Sequence, residues 1–195
     1  MNEALSKNVH LVKEHVGMFK ASSNYDIYDP DTGAITMECR EEGLGIFTKI
    51  LRFTDLKRNT PFDIQVKASD GAQVVRVQRG FCFFLSKVTV LNENNEIIGS
   101  FKQKLFSIGG KFAIRDASEK EVCELKGKWT GWNYKFMAGD TELAHITKKW
   151  AGSGKELFTS ADNYVLQISD LVPATSVARQ LILAAVMCID MVLKE

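Results

Sequence analysis

Five short turn signals, spread through the first three quarters of the chain, restrict its fold more than any other feature. They lie at 29–33 (DPDTG), 69–71 (SDG), 92–95 (NENN), 116–120 (DASEK) and 138–141 (AGDT). Each stands between runs rich in Val, Ile, Phe and Tyr, which is the signature of a β-hairpin. Aligned on these turns, YDIYDPDTGAITMEC, FDIQVKASDGAQVVRV, VTVLNENNEIIGSF, FAIRDASEKEVCEL and YKFMAGDTELAHI share one plan: alternating strand, polar turn, alternating strand. Residues 45–53 (GIFTKILRF) and 163–169 (NYVLQIS) read as two further strands. About 12 strands in up-and-down order predict a mostly β fold, a closed antiparallel barrel without exposed edges. A two-sheet sandwich is the rival arrangement.

The C-terminus breaks this pattern. TSVARQLILAAVMCIDMVLKE follows Pro173, and Thr175 or Ser176 can cap it, so a helix is expected over about 175–193. Its unbroken apolar run, residues 181–189, falls short of the about 20 residues that span a bilayer. A longer window admits Arg179, Gln180 and Asp190, and an Arg or Asp near the bilayer centre costs about 2.5–3.5 kcal/mol each on insertion scales. A helix apolar nearly all round belongs inside something. The barrel interior is favoured and a membrane span is the alternative. Asp190 then needs a partner, because an uncompensated buried carboxylate is costly. The expectation is a latch at the C-terminal mouth, with Asp190 held by Lys194 or by a cation of the barrel wall. Arg179 lies on the same helical face, eleven residues back.

Composition narrows the function. Residues 1–195 read as one domain with 45% apolar residues, which argues against disorder. Lys plus Arg number 25 against 24 acids, and a net charge of +1 gives no reason to expect nucleic acid. Cys39, Cys82, Cys123 and Cys188 are isolated and read as reduced thiols without zinc spacing. The N-terminal residues have no secretory h-region, and Asn2 excludes myristoylation, so a cytoplasmic protein is expected. His10, His15 and His145 stand in no catalytic motif. There is no P-loop, GxGxxG, GxSxG or HExxH, and no enzymatic activity is expected.

Cations recur where return strands end: Arg76 and Arg79, Lys102 and Lys104, Lys126 and Lys128, Lys148 and Lys149. Residues two apart on a strand share a face, and in an up-and-down barrel all return strands finish at one end. The pairs are therefore candidates for a cationic rim that meets anionic phospholipid headgroups, each cation near such a surface contributing about 1 kcal/mol. Solvated strand ends are the plainer reading. Phe81, Phe83, Phe84, Trp129, Trp132, Trp150 and Phe158 read as core or turn packing, with insertion at a membrane interface as the alternative.

One stretch carries a family likeness. Residues 148–173 (KKWAGSGKELFTSADNYVLQISDLVP), followed by ARQLILAAVMCIDMVL, resemble the phospholipid scramblase pattern. That pattern is a Lys-x-Trp-x-Gly turn, Glu-x-Phe-Thr, Ala-Asp-Asn-aromatic, an alternating strand, and an apolar helix containing Ile-Asp. The upstream hairpins resemble the same family and the related LURP-one and tubby C-terminal barrels. The resemblance implies a barrel of about 12 strands, closed as such sheets are, around a central C-terminal helix. It also implies a link to membrane phospholipids. Ca²⁺ is the one cofactor implied: the family's acidic loop falls on Ser160, Asp162, Asn163, Gln167 and Asp170, with Ser160 where that loop opens with Asp. Two carboxylates are few for a cation that takes six to eight oxygens. Three functions follow: a headgroup-binding protein peripheral to the membrane, a Ca²⁺-activated scramblase whose C-terminal helix enters the membrane, or a cytosolic scaffold whose partners are other proteins.

Overall fold

The computed structural model describes residues 3–15, 23–43, 45–54, 59–82, 85–104, 111–128, 132–148 and 163–193, with the backbone alone at 47, 128 and 193. Its strands are β1 (Val9–Glu14), β2 (Tyr25–Tyr28), β3 (Ile35–Glu41), β4 (Phe62–Ala68), β5 (Gln73–Arg79), β6 (Lys87–Leu91), β7 (Ile97–Gln103), β8 (Lys111–Asp116), β9 (Glu121–Lys128), β10 (Asn133–Ala138), β11 (Thr141–Thr147) and β12 (Asn163–Ile168). Every strand pairs antiparallel with the next. β12 returns to β1 in the register Val9 to Gln167 and Lys13 to Asn163, closing the barrel. The sandwich is thereby excluded.

Side-chain alternation selects the inner face. Along β4, Phe62, Ile64, Val66 and Ala68 are buried while Asp63, Gln65 and Lys67 lie between them, partly exposed. A period of two permits only one register for such a strand, because a slip of one residue would turn the apolar set outward.

The five hairpins repeat one another in detail. Each turn holds a single residue with left-handed backbone: Gly33, Gly71, Asn95, Glu119 and Gly139. Each is preceded by a register irregularity, at Ile27/Tyr28, Val66/Lys67, Val90/Leu91, Ile114/Arg115 and Phe136/Met137. In four of the turns a side-chain carbonyl or carboxylate accepts backbone N–H groups two residues on, from Asp29, Asp70, Asn92 and Asp116. Asp, Asn and Gly serve here because they stabilise or tolerate the local backbone. The irregularity adds twist, and twist is what a sheet needs to close.

All five tight turns gather at one end of the barrel. At the other end only the connection after β9 is short, and those after β1, β3, β5, β7 and β11 are longer. One of them carries a helix, α1 (Ile46–Leu51). The expected strand over 45–53 is therefore a helix. Ile46, Ile50 and Phe53 recur at helical spacing, and the buried side chain of Arg52 fixes the segment to the wall. The twelfth strand is supplied instead by β1, whose VHLVKE is too charged to stand out from its surroundings.

The long helix α2 (Val177–Leu193) enters at the tight-turn end and runs inside the barrel against β5, β6, β7 and β12. The Ser176 hydroxyl accepts the Ala178 amide at 3.2 Å, so Ser176 is the cap. Residues 181–189 are buried without interruption. The wall is cut close to admit the helix: a Cβ on Gly99 of β7 would lie 2.4 Å from the Arg115 carbonyl oxygen and 3.0 Å from Leu181 Cδ2.

Both ends of α2 are fastened by polar side chains. Arg179, 3% exposed, donates from Nη1 to the carbonyls of Leu5 (2.9 Å) and Lys7 (2.8 Å). Its Nη2 reaches the Val172 carbonyl at 2.9 Å and Asn8 Oδ1 at 2.7 Å. Gln180 donates to the Val74 carbonyl (2.8 Å) and to Glu93 (2.7 Å). At the other end, Tyr25 and Tyr164 both donate their hydroxyls to the Asp190 carboxyl. The expected latch gains two tyrosine partners and loses Arg179. Arg179 does not meet Asp190, because eleven residues of helix separate them by about 16 Å. Tyrosine hydroxyls of the wall, which the sequence did not suggest, engage the acid. Lys194 lies outside the described residues.

Candidate functional site

The strands that carry or precede the anticipated cations, β5, β7, β9 and β11, all finish at the long-loop end. The environments of these cations differ from a bare cationic rim. Arg76 donates from Nε and Nη2 to the two oxygens of Asp63, at 2.8 and 2.6 Å. Arg79 is 5% exposed; its Nη2 reaches the Thr60 carbonyl at 2.5 Å and its guanidinium lies 4.8 Å over the Phe62 ring. Lys104 is held by Glu121 at 2.8 Å and by Glu124. Lys126 also pairs with Glu124, at 2.7 Å. The hydrogen bonds from Lys104 and Lys126 push the Glu124 carboxyl down to about 2. Lys102 is exposed. Lys148 sits over the Trp132 ring at 4.3 Å and near Tyr164 at 5.2 Å. The side chain of Lys128 and the whole of Lys149 lie outside the described residues. Arg76, in mid-strand, also reaches Asn95 of a tight turn at 3.4 Å, and acidic neighbours compensate Arg76, Lys104 and Lys126.

The oxygen-bearing residues expected to attract Ca²⁺ do not converge in the described part. Asn163 is buried at the start of β12, while Gln167 is exposed near its end. Asp170 lies beyond the strand and accepts from Asn8. The strand Asn163–Ile168, at about 3.3 Å per residue, separates Asn163 from the turn that holds Asp170 by roughly 15 Å or more. Ser160 and Asp162 lie outside the described residues, among which no group of three or more His, Cys, Asp or Glu is placed to hold a metal.

Around the carboxyl of Asp190 the wall is aromatic. Trp132 packs on Tyr164 at 5.0 Å and edge-on to Tyr134 at 6.4 Å. Burial, followed by the Asp190 carboxyl, holds the Tyr25 hydroxyl well above its ordinary pKa, so it acts as a donor. This group closes the bottom of the barrel around the helix end. Its chemistry is that of anchoring.

The third feature of this end is apolar and exposed. Ile46 is 79% exposed, Ile50 59% and Phe53 63%, all on α1 or immediately after it; Phe81, after β5, is 55% exposed. Reading Phe81 as core packing is thus overturned. Trp132 is half-buried against the core, while Phe83, Phe84, Trp129, Trp150 and Phe158 lie outside the described residues. The spacing of Ile46, Ile50 and Phe53 was the available signal for the stripe, hidden by reading the segment as a strand. Between α1 and the β4–β5 pair is a cavity of about 360 Å³, lined by Glu42, Thr48, Asp63, Gln78, Arg79 and Gly80 among others.

His10, 2% exposed on β1, His15 bonded to Asp26 at 2.6 Å, and His145 bonded to Asn133 at 2.9 Å stand apart from one another. Among the described residues no helix is long and apolar enough to cross a membrane.

No curated protein and no solved structure matches the chain. A family model does, that of Scramblase, and it covers residues 7–195. That match spans β1 through α2, the closed wall together with the helix it encloses, and the chain belongs to the scramblase family.

Proposed function

We propose that this protein binds phospholipid headgroups at the cytosolic face of a membrane through the long-loop end of its barrel, with α2 remaining inside. The observation that carries the reading is the enclosure of α2. Its apolar run is buried by the wall, and Arg179, Gln180 and Asp190 are bonded at its two ends. Drawing such a helix into a bilayer would expose the barrel core and leave those polar groups to be resolvated. Lipid contact is then left to the outer surface, where the longer connections, Lys102 and the exposed Ile46, Ile50, Phe53 and Phe81 share one end. Family membership supports a scramblase-like role. Whether lipid is translocated as well as bound is read directly by lipid flip in reconstituted vesicles.

The test is flotation with neutral and with anionic liposomes, without detergent, with and without millimolar Ca²⁺. Flotation with anionic vesicles alone, weakening as salt screens the charges, is expected. A Lys102→Glu/Lys128→Glu variant should bind less, and binding equal to the parent's would overturn headgroup capture by these cations. Ca²⁺-dependent flotation would point to the 160–170 segment. A folded protein that never floats would favour the scaffold reading.

A further inference from the structure

The segment of α1 is held to the wall by a charged residue while apolar side chains of the helix face out. A surface helix ordinarily buries an apolar stripe and turns charge to solvent. Here Arg52, directly after the helix, points into the wall, its side chain 3% exposed. It forms a two-pronged pair with the fully buried carboxylate of Glu41 at 2.6 and 2.5 Å, and donates to the Pro61 carbonyl at 2.8 Å. Ile46, Ile50 and Phe53, at positions i, i+4 and i+7, form an outward stripe. Lys49 is exposed beside it. Phe81 stands on a neighbouring loop that is stitched to the same base: the Asn59 side chain donates to the Cys82 carbonyl at 2.5 Å, and the Cys82 amide to the Asn59 carbonyl at 3.2 Å.

We infer that α1 and Phe81 form a wedge that inserts into the interfacial layer of an anionic phospholipid membrane. This rests on the lipid-binding reading above and names the element that makes the contact. Three observations select a bilayer as the occupant. The side chains are apolar with a cation at their edge, which matches acyl chains below and anionic headgroups above, as in interfacial helices. The four side chains expose on the order of 500 Å², less than the roughly 800 Å² that each partner of a standard protein interface contributes, whereas a bilayer accepts apolar groups without a matching surface. The stripe also lies at the barrel end that bears Lys102, so a single approach brings both to one membrane plane.

The anchor explains how the stripe stays exposed. Glu41 terminates β3, and the Arg52 fork holds the helix from beneath, so the apolar residues cannot roll onto the wall without breaking a buried ion pair. The wedge is presented in advance, and binding requires little reordering of α1.

The experiment uses the full chain and vesicles of phosphatidylcholine with phosphatidylserine. Ile46→Ser/Ile50→Ser/Phe53→Ser should weaken vesicle binding about tenfold, and the loss should persist at salt concentrations that screen the lysines. In a second measurement, Phe53→Trp is read as the difference from the parent's fluorescence. Its emission should shift to the blue and be quenched by lipids brominated on their acyl chains. If the parent floats and the triple-serine variant floats equally well, the wedge is wrong while headgroup binding stands. If the triple-serine variant fails to fold, the Phe53→Trp signal decides alone, and absence of quenching on vesicles that bind the protein overturns the inference. A parent that binds no vesicle removes the lipid reading and the wedge together.

Discussion

Tyr164 and Asp190 stand 26 residues apart in sequence and meet inside the barrel, where the phenol hydroxyl donates to the carboxyl. Tyr25, 165 residues from Asp190, donates to the same group from β2. The acid that interrupts an otherwise apolar helix is thus the knot between the C-terminal element and both sides of the β1 seam. Tyr25→Phe or Tyr164→Phe should each cost about 1 kcal/mol, the net worth of one hydrogen bond. Asp190→Ala should cost more, because two buried hydroxyls lose their acceptor at about 1–3 kcal/mol each. Thermal melts will rank them, at roughly 2–4 °C per kcal/mol for a chain of this size. Equal shifts for all three variants would contradict the bridged arrangement.

The Glu41–Arg52 pair is closed to solvent, with side-chain exposures of 0% and 3%. Removing one partner from a buried pair strands the other charge, so Arg52→Ala or Glu41→Ala should destabilise by about 3–5 kcal/mol. The double variant Glu41→Leu/Arg52→Met should recover most of that loss, since no charge remains to be stranded. Urea unfolding of the three variants tests this. A double variant as unstable as the summed singles would show that the two side chains act independently.

Acidification should weaken the fold first through His10. Its Nε2 is buried without a hydrogen-bond partner, and burial lowers its pKa to about 4 from an ordinary 6.5. In the unfolded chain the ring takes a proton below about pH 6.5, while in the folded chain it resists until about pH 4. Stability contributed by the neutral ring is present above pH 6.5 and falls away as pH drops through that window, by about 3 kcal/mol in all. Chemical denaturation between pH 7 and 4 should show the slope, and His10→Phe should flatten it. An unchanged slope in that variant would assign the acid sensitivity elsewhere.

Much of this architecture was legible in the residues. The turn signals at 29–33, 69–71, 92–95, 116–120 and 138–141 marked all five hairpins because a tight turn needs Asp, Asn or Gly locally, whatever surrounds it. The segment from Leu181 to Ile189 announced a buried helix by being apolar on every side. Two elements were misjudged for one reason. GIFTKILRF is short and rich in β-branched and aromatic residues, so periodicity over so few positions does not separate helix from strand, whereas VHLVKE hides among charged neighbours.

The sequence by itself determined the strand-and-turn order, the enclosed helix and the likeness to scramblases, since each depends on local spacing or on a contiguous motif. Only the tertiary structure decided which distant side chains meet. It gave Lys104 and Lys126 a common acid in Glu124. It bound Asp190 to tyrosines and turned Arg52 inward so that Ile46, Ile50 and Phe53 face out. Those pairings depend on strand register and barrel closure, which set which side chains share a face and bring Tyr25 to Asp190 across 165 positions, and no local pattern encodes such contacts.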